Sequence, residues 1–264
     1  MADDEIPPGL LKAFDRLLDV QRPLVLAHIR GIRRKHPNAT PEQIIGILER
    51  RYLLAVTTGG AATGASAAVP GVGTAAALAL SGAETAGFLE ASALFAQAVT
   101  EVHGIAVTEP ERARSLVMAL MLGSTGKDLV KQFAGQFGPG AVSRNAYWGE
   151  LVTSRLPKAM VNQLTDRLKR AFVRRFALRQ GGSIMGRLIP FGVGAVIGGA
   201  GNRMLGNRVI QSAREAFPPP PLQLTAELEP RDKAVHAHKR WPGLVNLRKS
   251  RRSTPELTAG TPEE

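Results

Sequence analysis

The sequence contains no cysteine among its 264 residues, and aromatic residues make up only 5% of it. The absence of cysteine excludes disulfide bonds, thiolate metal sites and a cysteine nucleophile. Although glycine is abundant, the mean hydropathy is −0.04 and 21% of the residues are charged. These values exclude a polytopic membrane protein and a wholly disordered chain. The length is sufficient for one hydrophobic core of ordinary size or for two small ones.

The sequence also lacks the alternation of apolar and polar residues that is typical of β-strands, whereas apolar residues recur at helical spacing. The predicted fold class is therefore all-α: a multi-helix domain with two Gly/Ala-rich helical hairpin segments and a disordered C-terminal tail. Residues 1–40 are predicted to form N-terminal helices and residues 41–217 the helical core. Residues 218–264 are rich in proline and basic residues and are predicted to form the tail.

Helix boundaries are indicated by local signals. Thr40-Pro41-Glu42-Gln43 is a capping box with proline at the first helical position, which predicts a helix start. His103-Gly104 predicts a helix end, because glycine favours the left-handed conformation that often follows a helix. Glu109-Pro110 predicts another start, and Pro157 is expected to interrupt the helical pattern of residues 147–179.

Cations are missing from a long internal part of the chain, between Arg51 and Arg112. Within it, residues 52–83 form a run of 32 uncharged residues, 17 of which are Ala or Gly. The run is long enough for a membrane span, but small residues supply little transfer energy and a proline lies near its middle. We interpret it as two closely packed helical arms, and a second hairpin is predicted later in the chain. The positions that define the two apolar hairpins are Pro70, Gly71, Gly73, Pro190, Gly192, Gly194 and Gly198.

The positive charge is concentrated in residues 154–217, which carry +10 of the total net charge of +12. Within this block an apolar stripe of Val161, Leu164, Leu168, Phe172 and Phe176 predicts a basic amphipathic helix. The cations assigned to an anionic-surface contact are Lys158, Arg167, Lys169, Arg170, Arg174, Arg175 and Arg179. A solvated face, a surface for anionic lipid and a nucleic-acid contact all remain open. The scarcity of aromatic platforms favours lipid over nucleic acid.

Glycine motifs give no support for a cofactor. Gly71-Val72-Gly73 and Gly192-Val193-Gly194 share the spacing of a dinucleotide fingerprint, but neither follows a predicted strand. Gly123 to Asp128 has Met121 where a phosphate loop begins with glycine, and Asp128 where it needs Ser or Thr. No cofactor, metal ligand set or catalytic residue is predicted. An enzyme of unrecognised type would require Glu84, Glu90 or Glu101 to be buried beside a polar cavity.

Two segments resemble the core of the EcsC family. The first comprises Gly59 to Gly64, Val69 to Gly73 and the apolar helix to Gly104, and the second runs from Ile189 to Asn202, followed by Ala213 and Phe217. The resemblance spans about residues 44–217 and implies a helical bacterial protein with suspected membrane association and no established active site. Family members usually have Tyr-Gly-x-Asp where this chain has His103-Gly104-Ile105-Ala106, so no role of that Asp carries over.

From these features we expect a membrane-associated accessory or binding protein that contacts anionic lipid or a membrane partner through its basic amphipathic helix. A cytoplasmic location, peripheral to the inner face of the plasma membrane, is expected because Met1 to Glu5 is acidic and no apolar segment follows it. Non-specific nucleic-acid binding and an enzyme of unrecognised type are the alternatives. The oligomeric state is left open.

Overall fold

A computed structural model describes residues 20–66, 74–136, 147–182 and 193–230, together with Arg16 and Leu18. Within these ranges the chain forms eight α-helices and no strand, so the predicted all-α class is confirmed. The helices are α1 (Arg22–Lys35), α2 (Pro41–Ser66), α3 (Thr74–Val102), α4 (Pro110–Leu122), α5 (Ser124–Gly135), α6 (Trp148–Glu150), α7 (Lys158–Gly182) and α8 (Val193–Ala216). A π-helical turn, Leu151–Arg155, extends α6, and a 3₁₀ turn, Ala226–Leu228, follows α8.

The predicted helix boundaries are confirmed in detail. The backbone amide of Gln43 donates to Thr40 Oγ1 at 3.2 Å, and the backbone amide of Thr40 donates to Gln43 Oε1 at 2.9 Å. This reciprocal pair is the predicted capping box at the start of α2. Helix α3 ends at Val102, and Gly104 follows it with a φ of +76°. Helix α7 begins at Lys158, directly after the proline that was expected to interrupt the helical pattern.

Helix α4 lies at the centre of the domain, where it contacts α3, α5, α7 and α8. Five consecutive residues of this helix, Leu116 to Leu120, are fully buried. A helix that is apolar around its whole circumference must be covered on all sides, and α4 is covered in this way.

Helices α2 and α8 form the most extensive helix contact of the domain, and small residues allow it. A Cβ atom at Gly60 would lie 2.6 Å from the carbonyl oxygen of Gly198, and one at Gly199 would lie 3.4 Å from the Cβ of Ala61. The helical arms of the predicted hairpins therefore pack closely. The predicted positions Pro70, Gly71, Gly73, Pro190 and Gly192 lie outside the described residues, and Gly194 lies in the first turn of α8.

The prediction that the disordered tail begins at residue 218 is wrong. Residues 218–230 belong to the packed unit, and Leu228 is fully buried. The guanidinium of Arg30 donates to the carbonyl oxygen of Glu227 at 2.6 and 2.9 Å, and Arg33 pairs with Glu229 at 3.0 Å. This segment, which we name the C-terminal clasp, is held on α1 by contacts that a local pattern does not encode. Residues 231–264 lie outside the described residues.

Candidate functional site

Helix α7 carries the predicted cationic surface. Its apolar stripe contributes to the core, because Val161, Leu164 and Leu168 are fully buried and Phe172 is half-buried. The helix packs against α4 and α5 through this face. The side chain of Phe176, the last predicted member of the stripe, lies outside the described residues. The stripe therefore forms part of the hydrophobic core, and the opposite side of the helix faces solvent.

The predicted cations of α7 divide into three groups. Lys158, Arg167, Arg170 and Arg174 are exposed, and Lys169 is half-buried. The guanidinium of Arg167 also lies over the ring of Phe133 of α5, 4.8 Å from its centroid, a cation–π contact that fixes its position. The side chains of Arg175 and Arg179 lie outside the described part of the chain.

A second candidate site is a cavity of about 270 Å³ between α2, α3 and α8. Its walls are mostly apolar, and a single carboxylate, that of Glu84, lies among them. The lining residues are Ala55, Val56, Gly59, Thr63, Ala83, Glu84, Gly87, Phe88, Ala91 and Asn202. A concave apolar surface with a few polar groups is the usual form of a small-molecule site.

Glu84 is held in this cavity by neutral partners. The side-chain amide of Asn202 donates to Glu84 Oε1 at 2.9 Å and to the carbonyl oxygen of Val56 at 3.1 Å. Burial raises the pKa of Glu84 above its ordinary value of 4.5, and hydrogen bonds from Asn202 and Thr63 oppose part of this effect. The carboxylate therefore binds a proton more tightly in the folded protein than in the unfolded chain.

The other two carboxylates that the sequence suggested for an enzyme do not line this cavity. Glu90 is exposed on α3, whereas Glu101 is buried and accepts a hydrogen bond from Arg22 Nε at 2.6 Å. The structure thus separates the three residues and places Glu84, but neither Glu90 nor Glu101, in the wall of this cavity. The sequence suggested Glu84 only together with Glu90 and Glu101, and it gave no signal that Asn202 would be the partner of Glu84.

Replacement of Glu84 by glutamine is expected to change how stability depends on pH. Because the folded-state pKa is raised, the folded protein binds more protons than the unfolded chain between the two pKa values. The stabilisation from this proton is complete below the ordinary value of 4.5 and is lost as the pH rises through the raised value. Denaturant unfolding at several pH values measures the effect: relative to Glu84→Gln, the wild type gains stability on acidification. Parallel pH profiles for the two proteins would contradict this expectation.

Packing explains one glycine of the motif that resembles a phosphate loop. Gly126 lies in the first turn of α5 and packs directly on the backbone of Ala119 of α4, so that a Cβ atom at this position would overlap the Ala119 carbonyl group. Within the ranges that the structure describes, no group of three or more acidic or histidine side chains is placed to hold a metal ion.

No protein-family model, curated protein or solved structure matches this chain. The resemblance to the EcsC family consequently depends on the glycine- and proline-containing segments named above, and membership of that family stays a prediction. Two features of the described residues bear on function: the cationic face of α7 and the cavity at Glu84.

Proposed function

We propose that this chain is a membrane-associated accessory or binding protein that contacts anionic lipid through the cationic face of α7. The observation that supports this most directly is that the apolar side chains of this helix are buried while several of its cationic side chains are exposed. The apolar stripe is buried against α4 and α5, while Lys158, Arg167, Arg170 and Arg174 point away from the core. Because the apolar stripe is buried in the protein core, it is not available to contact lipid. Contact with lipid through the cationic face is therefore electrostatic and does not require the helix to insert.

The strength of such a contact follows from its chemistry. Each Lys or Arg near an anionic membrane surface contributes about 1 kcal/mol, and the attraction decays over a Debye length of about 8 Å at physiological salt. One carboxylate, Asp166, is exposed on the same helix and weakens the attraction slightly. Binding is therefore expected to be reversible, to increase with the fraction of anionic lipid and to fall when salt is added.

A second feature that supports the proposal is the exposure of uncharged residues in the second half of α2 and the first half of α3. Leu54 on α2 is 66% exposed, and Ala62, Ala65, Gly82 and Ala83 are exposed on the two helices. An exposed surface without charge incurs little desolvation cost when it meets an apolar environment. In the described ranges no helix combines the length and the hydropathy needed to cross a bilayer.

Vesicle co-sedimentation tests the proposal. Full-length protein is mixed with vesicles of neutral phosphatidylcholine and with vesicles that also contain phosphatidylserine, at low and high salt. We expect sedimentation only with the anionic vesicles, and release at high salt. The triple variant Lys158→Gln, Arg170→Gln, Arg174→Gln is expected to lose most of the binding, by about tenfold or more, since three cations leave the face. Arg167 is kept because its contact with Phe133 is structural.

A matched control removes the same charge elsewhere. Arg34, Lys35 and Arg50 are exposed on α1 and α2, and their replacement by glutamine lowers the net charge equally. If this control variant loses as much binding as the α7 variant, the attraction depends on net charge and the proposed surface is wrong. Equal recovery with neutral and anionic vesicles, or no recovery with either, would also refute the proposal.

The nucleic-acid alternative receives less support from the basic block. Single-strand binding usually employs exposed aromatic rings on which bases stack. Of the aromatic side chains that the structure describes in this block, Phe172 is half-buried and Phe217 is buried and stacked on His103 at 4.9 Å. Binding of a single-stranded oligonucleotide that the α7 variant abolishes, without any binding to vesicles, would favour that alternative.

A further inference from the structure

Three carboxylates of α2 and α3 that are buried or half-buried in the described part of the chain have two kinds of partner. Glu49 and Glu101 are 8% and 6% exposed, and an arginine donates two hydrogen bonds to each of them. Arg22 serves Glu101, and Arg214 serves Glu49. Glu84, in contrast, is half-buried beside a cavity, and the partners that the structure describes for it are the neutral donors Asn202 and Thr63. Arginines thus serve the buried Glu49 and Glu101, whereas the half-buried Glu84 lines a cavity.

The walls of the cavity favour a ligand that is partly apolar. Val56 and Phe88 supply the larger apolar surfaces, and the remaining lining is mainly Ala and Gly. No lysine or arginine occurs in the sequence between Arg51 and Arg112, a stretch that supplies nine of the ten lining residues. Ca²⁺ and Mg²⁺ are poor fits, because each requires six or more oxygen ligands, and this wall supplies a single carboxylate among mostly apolar residues. A cation with an alkyl portion matches both the carboxylate and its surroundings.

We propose that this cavity binds a small organic cation, a protonated primary amine with a short alkyl chain. Its ammonium group donates to the Glu84 carboxylate, which retains acceptor sites beyond those used by Asn202 and Thr63. The alkyl chain lies against Val56, Phe88 and the small residues of the wall. Such a charge-assisted hydrogen bond in a partly dehydrated site is stronger than one between neutral groups. This proposal is independent of the lipid contact of α7.

Isothermal titration calorimetry with n-butylammonium chloride as the probe tests the site on the full-length protein. We expect saturable binding with one site per chain, and sodium chloride at equal ionic strength gives the background heat. n-Butanol, which has the same alkyl chain without the charge, is expected to bind at least about tenfold more weakly. Equal affinity for the alcohol and the ammonium ion would refute a role of the carboxylate.

The charge requirement is tested with Glu84→Gln, and Glu90→Gln on the exposed face of the same helix is its matched control. We expect at least about a tenfold loss of affinity for n-butylammonium in the first variant and no change in the second. Far-UV circular dichroism establishes that both variants are folded. Unchanged affinity in Glu84→Gln, or no binding by the wild type at any accessible concentration, would overturn the proposal.

The space requirement is tested at two glycines of α3. Gly87 lines the cavity and Gly82 does not, while a Cβ atom at either position meets no other atom within 4 Å. The first atom of a larger side chain therefore meets no clash at either position. Gly87→Leu is expected to lower the affinity for n-butylammonium severalfold by narrowing the cavity, and Gly82→Leu is expected to leave it unchanged. Because neither variant alters a polar group, this pair separates cavity binding from a surface ion pair, which would be equally strong in both.

Discussion

Replacement of Gly60 by alanine is expected to destabilise the protein by about 2–4 kcal/mol. The added Cβ would lie 2.6 Å from the Gly198 carbonyl oxygen and 2.6 Å from the amide nitrogen of Asn202. The carbonyl belongs to the backbone of α8, so α8 has to shift as a unit. A displaced Asn202 also loses its hydrogen bonds to Val56 and Glu84, each worth about 1 kcal/mol. The higher helix propensity of alanine offsets about 1 kcal/mol of this cost.

Chemical denaturation followed by far-UV circular dichroism measures the change, and Gly59→Ala is the matched control. Gly59 lies beside Gly60 in the same helix, but a Cβ atom there meets nothing within 4 Å. This variant is expected to be as stable as the wild type or more stable by up to about 1 kcal/mol, since only propensity changes. Similar midpoints for the two variants would mean that the contact of α2 with α8 is looser than the structure indicates.

Replacement of Arg22 by methionine is the second change with a large expected effect, a loss of about 2–4 kcal/mol. It leaves the buried Glu101 carboxylate without donors that now lie at 2.6 and 3.1 Å. It also removes the ion pair between α1 and Glu227 of the C-terminal clasp. The expected loss of stability is smaller than for a fully buried ion pair, because 27% of the Arg22 side chain is exposed to solvent.

A double substitution separates this ion pair from other effects at the same position. Adding Glu101→Gln to Arg22→Met is expected to restore part of the lost stability, because the unpaired charge disappears. Arg155→Met serves as the surface comparison, since Arg155 is 54% exposed and lies 3.5 Å from Glu150. That change is expected to alter stability by less than about 1 kcal/mol. If Arg22→Met and Arg155→Met have equal effects, Glu101 is not held by Arg22 in solution.

The features that the sequence predicted correctly are those that a short stretch of residues determines. The capping box at Thr40 and the helix end before Gly104 involve hydrogen bonds between residues a few positions apart. The stripe Val161, Leu164 and Leu168 repeats at the helical period. Each of these signals is complete within one helix, which is why the boundaries and the all-α class could be derived without tertiary information.

The features that the sequence did not predict join distant residues. Glu84 and Asn202 are 118 positions apart, and Glu49 and Arg214 are 165 positions apart. No local sequence pattern links the members of such pairs. The sequence around an acidic residue in a helix is therefore the same whether its partner is an arginine, an amide or water. The count of +10 for residues 154–217 likewise includes Arg214, whose charge is paired with Glu49. Fewer cations are available to a ligand than the composition suggests.

The C-terminal clasp imposes an order on folding. Helix α1 is synthesised early, but Arg22, Arg30 and Arg33 contact Glu227 and Glu229, about two hundred residues later in the chain. The contact of α2 with α8 similarly joins segments near opposite ends of the domain. Native contacts of such long sequence separation form slowly, because a large loop must close before they stabilise anything. The contacts of α1 with the C-terminal clasp therefore cannot form until Glu227 and Glu229 have left the ribosome.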